Sequence, residues 1–158
     1  MREEVFDAWF AASVDRQAKD RAWVSGRPVS VERNDLEQVV PSLLPYGMQT
    51  PAHTFWMARR SSGDLVGGLW LGPAPGMPGD DCFLFDIFVE PQHRNQGFGR
   101  WMLETALARL RSQGIPRVTL NVRSDNAPAL ALYRRLGFRP SEDASEARWI
   151  TMTRPLTD

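Results

Sequence analysis

The sequence predicts an α+β fold in which a central mixed β-sheet is flanked by helices on both faces. Three observations predict it: two segments with helical spacing at the start of the chain, a hairpin pattern in the middle, and a strand–helix–strand unit after the hairpin. The chain has 158 residues, 42% of them hydrophobic, and no internal repeat, which is enough for one domain with its own core. We therefore expect a single domain over residues 1–158, helical over 1–50 and with a sheet core over 53–155.

Two amphipathic helices are expected first. Apolar residues at helical spacing predict a helix from residue 3 to about residue 24, ending near Gly26. The same spacing returns over residues 36–44 behind Ser30, a candidate N-cap. Pro41 lacks an N–H and should kink or split this second helix.

The middle of the chain predicts strands. "TFWMARRSSGDLVGGLWLG" has the pattern of two strands joined by a Ser-Ser-Gly-Asp turn, and "PAPGMPGDD" after it is a loop. "CFLFDIFVE" is an almost wholly apolar strand, which favours a central position, with Asp86 as the exception inside it. "RVTLNVR" and "RWITMTRPL" complete the set, and the helix between "CFLFDIFVE" and "RVTLNVR" implies that these two strands are parallel.

The two later helices have clear end signals. The helix after "RNQGFG" should stop at Gly114 and Pro116. Asp125 or Asn126 can cap the next helix, and Gly137 followed by Phe138 suits a Schellman ending.

Charge and composition exclude several classes of function. Nineteen basic and nineteen acidic residues cancel, so we expect no nucleic-acid partner and no attraction to an anionic membrane. No stretch approaches the ~20 apolar residues of a membrane span. The single cysteine, Cys82, excludes an internal disulfide, and two separated histidines, His53 and His93, predict no metal site. We expect a soluble, cytoplasmic protein.

The stretch "RNQGFG" predicts a phosphate site. A strand that feeds a glycine-containing loop at the start of a helix presents backbone N–H groups at the positive end of the helix dipole. Gly97 and Gly99 would let the backbone approach an anion, and Arg94 and Arg100 would add positive charge. The alternative is a tight strand-to-helix turn that holds no ligand.

Two motifs carry a resemblance to a known family. "RNQGFG" at 94–99 resembles the acyl-CoA signature R/Q-x-x-G-x-G/A of the GCN5-related N-acetyltransferase (GNAT) superfamily, and "NAPALALYRRLGF" at 126–138 resembles its later helix. Both stand in the right order, and the resemblance covers residues 53–155. It implies the strongly twisted sheet of the acyl-CoA N-acyltransferase fold. That superfamily usually opens with a strand ahead of its first helix, so we expect this strand to be absent or the chain to be shortened, with an exposed sheet edge or pairing in a homodimer as the consequence.

The resemblance also implies a binding site for acetyl-CoA as co-substrate. The backbone of Phe88 and Val89 would pair with the pantetheine arm where the strand splays from its neighbour, and a strand N–H, that of Phe88, would meet the oxyanion. The pyrophosphate would rest on the backbone of the glycine loop. The implied cofactor-binding residues are Phe88, Val89, Arg94, Asn95, Gln96, Gly97, Phe98, Gly99, Arg100, Asn126 and Tyr133.

Catalysis needs an amine that arrives unprotonated, and a carboxylate in an apolar setting suits the role of base. Asp86 is the first candidate for the base and Glu90 the second. The alternative role of Asp86 is an ion pair or hydrogen bond to a neighbouring strand, and that of Glu90 is a solvated residue at the strand end. The resemblance implies that Tyr133 protonates the departing thiolate, although its spacing equally predicts packing against Phe138. Asn121 could orient a water or bridge two strands.

Taken together, the motifs predict an N-acetyltransferase that transfers an acetyl group from acetyl-CoA to a primary amine by direct attack in a ternary complex. The acceptor would be a small-molecule amine or a peptide amine, bound on the side of the helical region 1–50. Two alternatives stay open at this point: a non-catalytic acyl-CoA-binding or sensing module, and a phosphate or nucleotide binder that uses the loop alone.

Overall fold

The computed structural model describes residues 2–74, 76, 79–141 and 147–157. The chain divides into two compact units, Met1–His53 and Thr54–Asp158. Ahead of the first helix the described residues contain only Arg2, so they hold no strand there. None of the helices in these ranges is both long enough and apolar enough to cross a membrane.

The first unit contains helices α1 (Glu3–Ser25) and α2 (Val29–Leu43). As predicted, α1 ends at Gly26, which has a left-handed φ of 74°. The expected N-cap at Ser30 is wrong, because the chain becomes helical directly after Pro28, whose φ of −58° already suits a helix start. Pro41 does not split α2, since it lies in the last turn and the helix ends two residues later.

The second unit is a six-stranded sheet with the strand order β1-β2-β3-β4-β6-β5. Its strands are β1 (Thr54–Arg59), β2 (Leu65–Pro73), β3 (Cys82–Val89), β4 (Arg117–Arg123), β5 (Arg139–Pro140) and β6 (Trp149–Pro155). Every neighbouring pair is antiparallel except β3 and β4, which are parallel as predicted. Part of the loop predicted between β2 and β3 (residues 75, 77 and 78) lies outside the described residues.

Helices α3 (Phe98–Ser112) and α4 (Ala127–Arg135) contribute to one buried cluster with the strands. Both end in Schellman geometry, with Gly114 and Gly137 in left-handed conformation. This ending was predicted for α4, whereas for α3 the sequence predicted only a stop at Gly114 and Pro116. The closing bonds run from Ile115 N–H to the Leu110 carbonyl and from Phe138 N–H to the Tyr133 carbonyl, each 3.0 Å. The mixed six-stranded sheet with four helices confirms the predicted fold class.

Candidate active site

The two central strands separate at one end of the sheet. β3 and β4 are paired only from Cys82 opposite Val118 to Leu84 opposite Leu120. Beyond Leu84, β3 stays paired with β2 as far as Val89, and β4 stays paired with β6. A gap therefore opens between the last five residues of β3 and the second half of β4.

A β-bulge marks the start of the gap. Trp70 of β2 lies opposite Asp86, whereas the next residue, Leu71, lies opposite Leu84, so Phe85 is an extra residue in β3. A bulge bends its strand and increases the local twist. Because Phe85 directly follows the last residue paired with β4, the bulge accounts for the divergence of β3 from β4.

Backbone direction distinguishes the two residues expected to pair with the cofactor arm. The N–H of Glu90 donates to the Val66 carbonyl of β2 at 2.8 Å. Alternate residues of an antiparallel strand direct their N–H and C=O groups to the same side, so Phe88, opposite Gly68, also faces β2. Val89 then faces the gap, and its carbonyl accepts a hydrogen bond from Arg94 Nε at 3.1 Å. The pairing favours Val89 over Phe88 as the residue with gap-facing backbone.

The glycine loop leads from β3 into α3. Asn95 and Gly97 have left-handed φ angles of 59° and 85°, and Gly97 is the N-cap. The helix's hydrogen bonds begin with Trp101 N–H donating to the Gly97 carbonyl at 3.0 Å. The N–H groups of residues 98–100 precede that bond, at the positive end of the helix dipole.

A residue that the sequence analysis missed contacts this loop. Arg60, in the turn between β1 and β2, donates from Nη2 to Gln96 Oε1 at 3.0 Å, and its guanidinium lies 5.4 Å from the ring centroid of Phe98. The rings of Phe98 and His93 also meet edge-on, with their centroids 6.0 Å apart. Gln96 also donates from Nε2 to the Gln92 carbonyl at 3.2 Å. These contacts fix the side chains of Gln96 and Phe98. The backbone N–H groups of residues 98–100 lie ahead of the first hydrogen bond of the helix.

The loop's own charges are partly engaged. Arg100 forms an exposed ion pair with Glu104, 2.8 Å between Nε and Oε1, while Arg94 bonds to the Val89 carbonyl. Exposed pairs of this kind are worth only about 0–1 kcal/mol, so an anionic ligand could displace Glu104 at small cost.

A very close backbone approach lies at Gly67, a glycine outside the motif. A Cβ at Gly67 would stand 2.2 Å from the Phe88 carbonyl oxygen and 3.1 Å from Val89 Cα. A Cβ at Gly99 would meet Val89 Cγ2 at 3.6 Å and Leu132 Cδ2 at 3.7 Å, which is ordinary contact. Gly67 is therefore the glycine that allows β2 to sit against the gap-lining end of β3.

The candidate base lies on an aromatic face of the sheet. Rings of Phe55, Trp70 and Phe85 stack across β1, β2 and β3, with centroid distances of 5.5 and 4.4 Å. Asp86 is half-buried opposite Trp70. Because Ile87 packs into the cluster that contains α3, its neighbour Asp86 points to the other face. Glu90, the second candidate, extends the ladder with β2 by one residue.

The candidate acid lies on the helix side. Tyr133 is 7% exposed, belongs to the cluster that contains α3, and packs edge-on against Phe138 with centroids 5.8 Å apart. The packing contact that its spacing predicted is therefore present, and its catalytic role stays a prediction. Tyr133 and Asp86 therefore belong to opposite faces of the sheet.

The remaining polar candidates have structural contacts. Asn126 caps α4, its Oδ1 accepting from Ala129 N–H at 3.3 Å. Hydrogen bonds from Arg123 lower the pKa of the neighbouring Asp125. Asn121 accepts from Thr151 Oγ1 at 2.7 Å, which is the strand-bridging alternative of its two predicted roles.

In the described part of the chain, no three His, Cys, Asp or Glu side chains are grouped so that they could hold a metal ion. Cys82 is buried in the core cluster, and burial raises the pKa of its thiol to about 11.

Comparison with known proteins agrees with this arrangement. The family model described as Acetyltransferase (GNAT) family matches residues 16–138. The uncharacterized N-acetyltransferase YycN of Bacillus subtilis is 32% identical over 106 residues, which are 67% of this chain and 68% of YycN. Its crystal structure superposes with a TM-score of 0.79 at 27% identity, covering 90% of each chain.

Two further relatives have more informative names. The ribosomal protein bS18-alanine N-acetyltransferase of Escherichia coli is 44% identical over 59 residues, 37% of this chain and 40% of that enzyme. A GNAT acetyltransferase of Elizabethkingia anophelis, solved with acetyl-CoA bound, shares the fold with a TM-score of 0.57 at 16% identity, over 66% of this chain and 76% of that one.

Fold, glycine loop and divided sheet together define an acetyltransferase of the acyl-CoA N-acyltransferase fold. The chain belongs to the GNAT family, and the predicted enzyme class, an N-acetyltransferase, is confirmed.

Proposed function

We propose that this protein transfers an acetyl group from acetyl-CoA to a primary amine by direct attack in a ternary complex. The observation that carries the proposal is the gap between β3 and β4, which opens beside the glycine loop at the start of α3. The resemblance implied a ligand with an extended amide-bearing arm and an anionic tail, and this arrangement fits both parts.

The chain's residues fit the two parts in different ways. Val89 presents N–H and C=O to the gap, where an amide arm can pair as an added strand. The N–H groups of residues 98–100 and the left-handed turn at Gly97 form a concave anion site for the pyrophosphate. Arg94 and Arg60 bring positive charge to this loop, and we place Asn95, Gln96, Phe98 and Asn126 around the bound ligand.

The bound thioester supplies an activated acetyl group, and the chain supplies position and proton transfer. Holding the amine in line with the carbonyl carbon removes the entropy of encounter, worth roughly 7–11 kcal/mol in well-oriented systems. Asp86, on the aromatic face, accepts a proton from the incoming ammonium or amine, with Glu90 as the second candidate. Tyr133, on the helix face, donates a proton to the departing sulfur. A strand N–H that faces the gap meets the oxyanion; the pairing argues against Phe88 for this role, because its N–H faces β2.

The acceptor is a small-molecule amine or a peptide amine. A carboxylate beside stacked aromatic rings favours a cationic ammonium, because both the charge and the ring faces attract it. The Escherichia coli relative, named for an alanine of a ribosomal protein, makes a peptide α-amine one class to include. We propose that catalysis takes place in the cytoplasm, where acetyl-CoA and such acceptors coexist.

An amine screen tests the proposal. The protein is incubated with acetyl-CoA and, in turn, peptides with a free N-terminus, lysine side-chain peptides and small polyamines, while released CoA thiol is measured. At least one class should raise CoA release well above the rate without amine. If acetyl-CoA binds and no amine in any class raises that rate, the transferase proposal fails and a binding module remains.

A further inference from the structure

A groove lies between the C-terminal halves of α3 and α4 and the end of β6, with a volume of about 540 Å³. It begins at Glu104, one helical turn beyond Arg100, and runs away from the glycine loop along α3. We name it the arginine groove after Arg111, Arg135 and Arg154, which line it from three different elements. The proposed acetyl transfer does not use these residues.

Charge is the groove's distinctive property. Three guanidinium groups converge in a chain whose formal net charge is zero. The one carboxylate in the lining, Glu104, is paired with Arg100 outside the groove. Within the ranges that the structure describes, none of the three arginines forms an ion pair with an acidic residue. Among the described residues, these three guanidinium groups of the lining are therefore not neutralised by an ion pair.

The geometry leaves the guanidinium groups available. Arg111 donates a hydrogen bond from Nε to the Leu156 carbonyl at 3.0 Å. This bond fixes the side chain and does not involve its two Nη groups. Arg154 packs against Gly137, where a Cβ would stand 3.5 Å from its Nε, an ordinary van der Waals contact. Arg135 is exposed at the mouth. The floor between them is apolar, formed by Leu107 and Leu136 among others.

Helix-end stabilisation explains only part of this arrangement. Arg111 and Arg135 lie in the last turns of their helices, where positive charge interacts favourably with the helix dipole. Arg154 lies on a strand, and the helix dipole gives no reason for it to converge on the same groove.

We propose that the arginine groove binds a phosphate group carried by a small molecule with an apolar part. Guanidinium groups match phosphate oxygens in forked hydrogen bonds, and the apolar floor suits a ring or alkyl portion of the same ligand. The phosphate could belong to the tail of the bound CoA or to a separate molecule. The free-phosphate arm of the test below does not depend on the proposed acetyl transfer.

The test is a titration with inorganic phosphate at constant ionic strength, followed through backbone amide NMR signals so that the groove and the glycine loop report separately. Signals of groove residues such as Ala108 and Leu136 should shift and saturate. In Arg135→Gln combined with Arg154→Gln, the groove's affinity should fall about tenfold or more, because two charge-assisted contacts are lost. The matched control Arg134→Gln changes the neighbouring arginine, which does not line the groove, and should leave the affinity unchanged.

A second arm identifies the source of the phosphate. If CoA suppresses the groove shifts and dephospho-CoA does not, the groove binds the cofactor's own tail phosphate; if the shifts persist with CoA bound, it binds a separate ligand. Both results support a phosphate site. The proposal is overturned if the groove signals do not saturate. It is also overturned if Arg135→Gln and the double variant, each shown to be folded by a cooperative thermal unfolding transition, bind phosphate as tightly as the parent chain.

Discussion

Arg60 and Gln96, 36 positions apart in the sequence, are joined by a hydrogen bond of 3.0 Å from Nη2 to Oε1. The bond ties the β1–β2 turn to the glycine loop, and the same guanidinium covers the ring of Phe98. The loop that we propose for the pyrophosphate is therefore supported, and given extra positive charge, by a residue outside both sequence motifs.

Replacing Arg60 should weaken acetyl-CoA binding. Arg60→Ala removes the bond to Gln96 and one positive charge near the phosphates, and we expect a fivefold to tenfold rise in Kd, corresponding to about 1 kcal/mol for an exposed charged contact. Calorimetric titration measures it. Arg59→Ala is the matched control, since the Arg59 side chain donates to the Gly63 carbonyl of the adjoining turn. Equal effects of the two variants would contradict a specific role for Arg60.

A methyl group at Gly67 should disturb both stability and cofactor binding. Gly67→Ala places a Cβ 2.2 Å from the Phe88 carbonyl oxygen, so the end of β3 must move. We expect a loss of about 1–3 kcal/mol in unfolding free energy and weaker acetyl-CoA binding by the folded fraction. Gly99→Ala, whose Cβ makes only ordinary contacts, should change the unfolding free energy little. Denaturant unfolding of both variants gives the comparison, and an unaffected Gly67→Ala would refute the close-approach argument.

The hydroxyl of Tyr133 should matter for turnover and not for folding. Tyr133→Phe keeps the edge-on contact with Phe138 and removes the proposed proton donor. We expect kcat to fall by about a hundredfold or more with little change in the KM for acetyl-CoA. Tyr46→Phe changes the chain's other tyrosine, which is exposed, and serves as the control. A Tyr133→Phe variant with normal kcat would leave the residue with a packing role only.

Asp86 should act as the proton acceptor. Asp86→Asn preserves size and removes the ionisable group opposite Trp70, so kcat should fall about a hundredfold or more. Asp64→Asn, in the exposed β1–β2 turn, should leave kcat unchanged. If Asp86→Asn keeps its activity, Glu90→Gln tests whether Glu90 is the proton acceptor instead; a fall in kcat would assign that role to Glu90.

Buried Cys82 should make the fold less stable in alkali. Its pKa is about 11 in the folded chain against an ordinary value of 9.0, because burial disfavours the thiolate. Below pH 9 both states keep the proton; between pH 9 and 11 only the unfolded state loses it, so the unfolding free energy falls as pH rises. The loss should approach ~2–3 kcal/mol above pH 11. Cys82→Ala should show a shallower decline over this window in denaturant unfolding, and identical slopes would contradict the burial effect.

Local signals predicted most of the secondary structure. Side-chain periodicity and glycine position act within a few residues. They predicted the strand over residues 117–123, the end of α1 at Gly26, the stop of α3 at Gly114 and the Schellman ending of α4. The two-residue strand β5 was missed because its existence depends on pairing with β6 and not on its own composition.

The details of the site depend on contacts that sequence spacing does not reveal. The bulge at Phe85 is visible only in the pairing of β3 with β2, and the divergence only in its pairing with β4. The apolar run alone therefore predicted a strand but not the separation of β3 from β4. The roles of Arg60 and Gly67 come from residues distant in sequence that the sheet brings against the loop and β3. The motif that resembles the GNAT superfamily predicted the position of the glycine loop between β3 and α3, because it is a run of consecutive residues that can be read directly from the sequence.

The central claim is that the gap between β3 and β4 and the adjoining loop bind acetyl-CoA. The most direct test is a calorimetric titration with acetyl-CoA, with ADP as the comparison ligand that can use the loop but not the gap. We predict saturable binding of acetyl-CoA and much weaker binding of ADP, because only acetyl-CoA carries an arm to pair with Val89. Equal affinity for the two would contradict a role for the gap, and no binding of acetyl-CoA by folded protein would contradict the whole assignment of the site.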